Sequence, residues 1–161
     1  MVEVMQNTEA RSQNSEGRIQ KTDIRIELGK GTEENGLANI LFELIKQNIE
    51  RRPEKINDLQ RLNTTVGILA NDIDVAVLLR FQNGQLIIDG RISEEPEIKI
   101  TTDSETILDL SRIRIVGGLP YYFDETGRGI IKKLLSGRLK IRGLFAHPIK
   151  LTRLTRIMSV V

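Results

Sequence analysis

The sequence predicts an α+β fold, because two strongly amphipathic helices flank a segment with strand periodicity. Apolar residues recur at spacings of three and four from Leu37 to Ile49, which places them on one face of a helix. From Thr64 the period changes to two, and Asn83-Gly84 between apolar runs indicates a tight hairpin turn. A second amphipathic helix follows Pro148.

Composition favours one folded domain. The chain has 161 residues, of which 39% are hydrophobic and 29% charged, so it can form a core and is not expected to be disordered. No window approaches about 18 consecutive apolar residues, and no apolar signal segment opens the chain. Cysteine is absent, which excludes disulfides and thiolate sites. We therefore expect a cytoplasmic protein with a polar, mobile N-terminal arm at 1–21 and a single domain at 22–161.

The remaining elements follow from local patterns. Ile24, Ile26 and Leu28 alternate with charged residues and predict a short edge strand, whereas the apolar spacing after Pro53 predicts a second helix. The hairpin is expected at 75–81 and 85–92, and a third strand near 97–101. Asp103 or Ser104 is expected to cap a short helix. We predict a loop at 112–128, a helix at 129–136 and a strand at 138–142.

Charge is unevenly distributed along the chain. Up to Ser111 there are 13 Lys/Arg against 20 Asp/Glu, and from Arg112 onward 11 Lys/Arg against two acidic residues. The later segment is therefore expected to bind anionic groups. Lipid headgroups, nucleic acid and the acidic part of the same fold are the candidate partners. Without a reader motif or interleaved exposed aromatics we expect no nucleic-acid partner.

Several segments resemble the sterol carrier protein type 2 family. The C-terminal part, LLSGRLKIRG at 134–143 followed by HPIKLTRL at 147–154, resembles the helix, basic strand, glycine turn and Lys-Leu helix that close that domain. The central VAVLLRFQNGQLIIDG and EIKITTDSETILDL resemble its hairpin and the strand and acid-led helix that follow. The resemblance implies a five-stranded, mostly antiparallel sheet covered by helices and enclosing an apolar tunnel. The ligand would be a sterol, a fatty acyl chain or an isoprenoid-type lipid.

Candidate tunnel walls are the inward-facing residues of three elements. They are Leu41, Leu44 and Ile45 in the first helix, Val77, Leu79 and Phe81 in the hairpin, and Leu151, Leu154 and Met158 in the last helix. Ordinary core packing is the alternative for each of them. Tyr121, Tyr122 and Phe123 lie beside Gly117 and Gly118, so they form either a flap over the tunnel mouth or part of the core.

The last helix also has a basic face. Lys150, Arg153 and Arg156 could rest transiently on an anionic membrane, or the face could simply be solvated while the apolar face completes the core.

Catalytic chemistry finds little support in the sequence. The only histidine, His147, precedes Pro148 at a helix start, which is a structural position, and there is no cysteine to build a zinc site or a nucleophile pair. Neither a nucleophile-elbow nor a phosphate-loop motif occurs. We expect no enzyme activity, no metal and no cofactor. The predicted function is binding and carriage of an apolar lipid, and the alternative is an accessory subunit that presents a lipid intermediate to a partner enzyme.

Overall fold

The computed structural model describes residues 24–161, so the predicted arm at 1–21 lies outside the described residues. The elements follow in this order: β1 Arg25–Leu28, α1 Gly36–Arg51, α2 Lys55–Arg61, β2 Thr64–Ala70, β3 Val75–Gln82, β4 Gln85–Asp89, β5 Ile98–Thr102, α3 Ser104–Ser111, β6 Ile115–Val116, β7 Leu119–Pro120, α4 Glu125–Leu135, β8 Lys140–Arg142 and α5 Pro148–Met158. Helices and strands thus both contribute, and the predicted α+β class is confirmed.

The main sheet has six strands in the order β1-β4-β3-β2-β5-β8, so the expected number of five is wrong. The additional strand is β2, which lies in the interior of the sheet between β3 and β5. The sheet is mixed: β3 pairs with β2 and β4 in antiparallel fashion, and so does β5 with β8, whereas β1 with β4 and β2 with β5 are parallel. The predicted edge strand β1 does form one border.

One face of the sheet carries the hydrophobic core. Alternate residues of each strand, such as Val66 and Ile68 in β2 and Val77 and Leu79 in β3, are buried in one cluster with apolar residues of the helices. On the other face, Gly67 pairs with Leu78 and is covered by the loop 90–97, since a Cβ at Gly67 would lie 2.9 Å from Cγ of Pro96. The centre of the sheet is therefore covered on both faces.

Side-chain caps start three of the helices. The Asn35 Oδ1 accepts a hydrogen bond from the Ala38 N–H at 3.0 Å, while its Nδ2 donates to the carbonyls of Ala76 and Gly90. Asp103 caps α3 as expected, through the Thr106 N–H. The cap of α4 is Asp124, so this helix begins at Glu125 and not at Gly129 as the sequence analysis expected.

The segment predicted as a loop at 112–128 contains a small hairpin. Strands β6 and β7 are joined by Gly117 and Gly118, both of which have positive φ values of 60° and 79°. Two consecutive left-handed residues are what a tight two-residue hairpin turn requires, and glycine adopts them without steric cost. This hairpin brings the aromatic residues that follow it next to α4 and α5.

Candidate functional site

An apolar cavity of about 330 Å³ lies at the β5–β8 side of the sheet, beneath α3, α4 and α5. Its walls come from the chain beyond residue 99, and they are built from the following residues: Ile100, Leu110, Ile113, Pro120, Tyr122, Ile130, Ile131, Leu134, Leu139, Ile141, Leu144, Pro148, Leu151, Thr152, Leu154, Thr155 and Met158. Tyr122 and Pro148 are the most exposed of the described wall residues, so we take them to mark its mouth.

The walls offer almost no polar chemistry. None of the described residues that line the cavity is charged. The Thr152 and Thr155 hydroxyls donate to the carbonyls of Pro148 and Leu151 at 2.9 Å, so the α5 backbone satisfies them. Tyr122 supplies the one phenol, and burial raises its pKa above the ordinary value of 10.0. A guest in this cavity would meet hydrocarbon along its length and a single hydroxyl near the mouth.

The candidate wall residues lie in two different places. Leu151, Leu154 and Met158 of α5 line the cavity. Five others are packed in the core cluster away from it, namely Leu41, Ile45, Val77, Leu79 and Phe81. Leu44 is half-buried beside a shallow surface groove on α1. The cavity therefore occupies one end of the molecule, and the α1 side of the core is filled.

The candidate flap residues surround the mouth unequally. Tyr122 lines the cavity, whereas Phe123 projects outward and is 77% exposed. Tyr121 packs edge-on against Phe123, with ring centroids 5.7 Å apart, and lies 5.9 Å from the Arg114 guanidinium. Gly127 fixes the position of this segment, because a Cβ there would lie 2.4 Å from the Tyr122 Cα.

The basic side chains of α5 contact acidic and carbonyl groups of the same chain. Lys150 Nζ lies 2.6 Å from Glu97 Oε2, and this hydrogen bond, followed by one from the Thr64 hydroxyl, lowers the pKa of Glu97. Arg156 Nε lies 3.1 Å from the Asp58 carboxylate, whose pKa is nevertheless raised because it is buried. Arg153 donates to the Arg61 carbonyl at 3.2 Å. The acidic first part of the chain is thus one partner of this basic face.

Residues from α4 and β8 line the cavity without having been chosen as candidates. Ile130, Ile131 and Leu134 of α4 share a helical side, and Leu139 and Ile141 alternate in and beside β8. Their apolar spacing is visible in the sequence, and the basic residues between them mark the outward positions. The missing information was which part of the core stays open.

The described residues also bear on metal and membrane chemistry. Within 24–161, no three His, Cys, Asp or Glu side chains come together as metal ligands would. His147 lies at the N-terminal boundary of α5 without a side-chain cap hydrogen bond. None of the helices in this range has the length and apolar character needed to cross a bilayer.

Comparisons with known proteins give a likeness of structure. Neither a protein-family model nor a curated protein sequence matches the chain. Among solved structures, a protein described as the UbiJ-SCP2 ubiquinone synthesis protein matches with a TM-score of 0.54 at 13% identity, over 75% of this chain and 90% of that one.

Two further structures are less similar. The sterol carrier protein domain 2 of Helicoverpa armigera gives a TM-score of 0.49 at 19% identity, covering 74% of this chain and 87% of that one. The inverting sec-alkylsulfatase Pisa1 from Pseudomonas sp. gives 0.48 at 12% identity, covering 66% of this chain but only 14% of that one. The order of elements, the mixed sheet and the first of these matches lead to one conclusion: the chain has the sterol carrier protein 2 fold.

Proposed function

We propose that this protein binds an apolar lipid in the cavity beneath α4 and α5 and carries it through water. The observation that supports this most is a cavity of about 330 Å³ whose described wall residues are mainly apolar and include no charged side chain. A volume of this size lies at the lower end of the range for small-molecule sites, roughly 300 to 1,000 Å³. A flexible acyl or isoprenoid chain, which can be buried in part, suits it better than a rigid sterol.

The energy of binding would come from removing hydrocarbon from water. Each buried methylene contributes about 0.8 kcal/mol, so eight of them contribute roughly 6 kcal/mol before the entropy of association is subtracted. No polar partner is needed along the chain. The wall threonines already have helix carbonyls as acceptors, so they do not oppose an apolar guest.

The binding would involve no covalent step. A catalytic nucleophile needs an adjacent base, and the wall residues within 24–161 include no His, Asp, Glu or Lys to serve as one. The one phenol, Tyr122, has a raised pKa and is therefore protonated at neutral pH. Its hydroxyl can donate a hydrogen bond to a polar headgroup at the mouth.

Lipid uptake can be tested with a fluorescent fatty acid and two tryptophan variants. Ile131→Trp would place a large side chain in the cavity, and the loss of about two buried methylenes should weaken binding roughly tenfold. Ile40→Trp adds the same bulk on the outer side of α1, where Ile40 is half exposed, and should leave affinity unchanged. Native mass spectrometry of the purified wild type would identify any lipid that co-purifies. If fatty acyl, isoprenoid and sterol probes all fail to bind the wild type, the proposal is wrong.

The role of Tyr122 as a flap at the mouth needs a kinetic measurement. Removing its ring with Tyr122→Ala should speed both uptake and release of the fluorescent fatty acid, because the ring lines the cavity and is partly exposed. Rates equal to those of the wild type would mean that the ring does not gate entry.

A second candidate function is presentation of a lipid intermediate to an enzyme. It is favoured by the likeness to a structure described as a ubiquinone synthesis protein, which suggests an isoprenoid-type ligand. A stable partner enzyme that co-purifies would favour presentation. Lipid exchange between vesicles, catalysed by the isolated chain, would favour carriage.

A further inference from the structure

The most exposed apolar side chains of the described chain lie next to residues of the cavity wall. Leu119, Phe123, Leu135, Phe145 and Ile149 are between 62% and 93% exposed, while the next large apolar side chain, Ile73, is 52% exposed. Each of the five is adjacent in sequence to a residue that lines the cavity. We call these five residues the rim.

The rim is too concentrated to be incidental. Single exposed apolar residues are common on protein surfaces, but contiguous groups of them mark contact sites. The rim residues come from the β6–β7 hairpin, the segment before α4, the end of α4, the loop after β8 and the first turn of α5. Five separate pieces of chain therefore expose an apolar side chain next to the wall of the same cavity.

Unneutralised basic side chains accompany the rim. Arg128, Lys132 and Arg138 have no carboxylate within 4.0 Å among residues 24–161, in contrast to Lys150 and Arg156 of α5. All three are exposed, and they belong to α4 and the turn that follows it.

Helix geometry places charge and apolar rim side by side on α4. At about 100° per residue, Leu135 lies between the cavity-lining Ile131 on one side and Arg128 and Lys132 on the other. Proceeding around the helix, one passes from the cavity wall to the apolar rim and then to positive charge. This is the order that a surface needs if apolar groups are to enter a bilayer while cations remain at the headgroups.

We propose that the rim and its three basic residues dock the cavity mouth onto an anionic membrane. This rests on the proposed lipid binding, and it specifies where the ligand enters: directly from the bilayer through the mouth. A second copy of the chain fits this face less well, because a symmetric dimer would bring two patches of the same positive charge close together. The docking surface also differs from the face of α5 that carries Lys150, Arg153 and Arg156, which the chain itself engages.

Co-sedimentation with lipid vesicles tests the proposal without any added ligand. The full chain should bind vesicles of phosphatidylcholine mixed with phosphatidylserine more tightly than vesicles of phosphatidylcholine alone, and salt should weaken the binding. The double variant Leu135→Ser/Phe145→Ser should bind at least about tenfold more weakly, since two apolar anchors are lost. Both residues are more than four-fifths exposed, so the fold should tolerate the change.

Matched controls separate the surface from general effects. Ile40→Ser removes an exposed apolar side chain from α1, which packs over the β1, β3 and β4 end of the sheet away from the cavity, and should leave vesicle binding unchanged. Arg128→Gln/Lys132→Gln should weaken binding to anionic vesicles by about fivefold per residue, whereas Lys46→Gln on α1 should not.

Three outcomes would overturn the proposal. The first is no binding to either vesicle type, and the second is binding that the rim and basic variants leave unchanged. The third is a dimer in analytical ultracentrifugation that Leu135→Ser/Phe145→Ser abolishes, which would assign the face to a second copy. Fluorescent fatty acid uptake without vesicles reports on the cavity alone, so failure of docking and failure of lipid binding are distinguishable.

Discussion

The buried amide of Asn48 is expected to hold α5 in place, and its removal can be given a magnitude. Its Nδ2 donates to the carbonyls of Ile157 at 3.0 Å and Met158 at 2.9 Å. These are among the last carbonyls of α5, which lack partners within the helix. Both residues are almost completely buried, so water reaches their carbonyls poorly.

The expected cost of Asn48→Ala follows from these contacts. Two hydrogen bonds contribute about 1 kcal/mol each, and leaving two buried acceptors unsatisfied adds about 1 kcal/mol or more. Alanine favours a helix interior over asparagine by roughly 0.5 kcal/mol, which offsets part of the loss. We expect the free energy of unfolding to fall by about 2 to 3 kcal/mol. Asn48→Asp should be at least as harmful, because a carboxylate would face two carbonyl oxygens.

Urea unfolding followed by circular dichroism measures this effect. Gln47→Ala on the exposed side of the same helix is the control, and its free energy of unfolding should change by no more than about 0.5 kcal/mol. Amide hydrogen exchange should also accelerate selectively in the last turn of α5. If Asn48→Ala and Gln47→Ala unfold at the same urea concentration, the amide does not anchor the helix and the reasoning is wrong.

Three further predictions concern stability. Burial lowers the pKa of Lys55 from 10.5 to about 8, so the charged lysine destabilises the folded state in full below pH 8, and this penalty disappears as the pH rises toward 10.5. The free energy of unfolding of the wild type should therefore rise by at most about 3 kcal/mol over that window, and Lys55→Met should lack this rise. Urea midpoints of the two proteins that change in parallel with pH would contradict this. Gly127→Ala should destabilise by about 1 kcal/mol or more, because its Cβ would overlap the Tyr122 backbone, whereas Gly129→Ala meets no atom within 4 Å and should raise the melting temperature through helix propensity. Asn35→Ala removes a helix cap and two cross-links to the sheet and should cost about 2 to 4 kcal/mol; a loss below about 1 kcal/mol in urea unfolding would show that these bonds matter little.

The strongest local patterns were sufficient to predict most elements. Helix α1 has apolar residues on one face over four turns, and the β3–β4 hairpin has its Asn-Gly turn with Asn83 at φ 49°. Asp103 formed the expected cap. In each case a single stretch of chain contained both the periodicity and the residue that ends the element.

The change to strand periodicity is predicted at Thr64, but no strand is assigned from the sequence before Val75, because residues 64–70 do not alternate clearly. Its sequence TTVGILA lies inside the sheet, where Ile68 faces the core and Gly67 is covered by Pro96 on the other face. A strand buried on both faces shows a continuous apolar run instead of a period of two. The early start of α4 was missed for a different reason. Gly127 and Gly129 have a low helix propensity, so the sequence after the cap residue Asp124 does not look helical.

The location of the cavity could not be predicted from facing alone. Periodicity indicates that both Val77 and Leu151 point inward, but it does not say whether a neighbour fills the space in front of them. In the folded chain, helices pack against Val77, whereas Leu151 borders an open volume. That difference depends on how α4, α5 and β8 pack together, which involves residues far apart in sequence.

The position of the cavity walls also has a consequence for biosynthesis. Every described residue that lines the cavity lies beyond position 99, so α1, α2 and the first four strands leave the ribosome before any of these wall residues. A nascent chain can therefore assemble most of its sheet while it has no pocket to offer a guest. If the cavity binds a lipid as proposed, loading has to follow the synthesis of α5, which completes the wall.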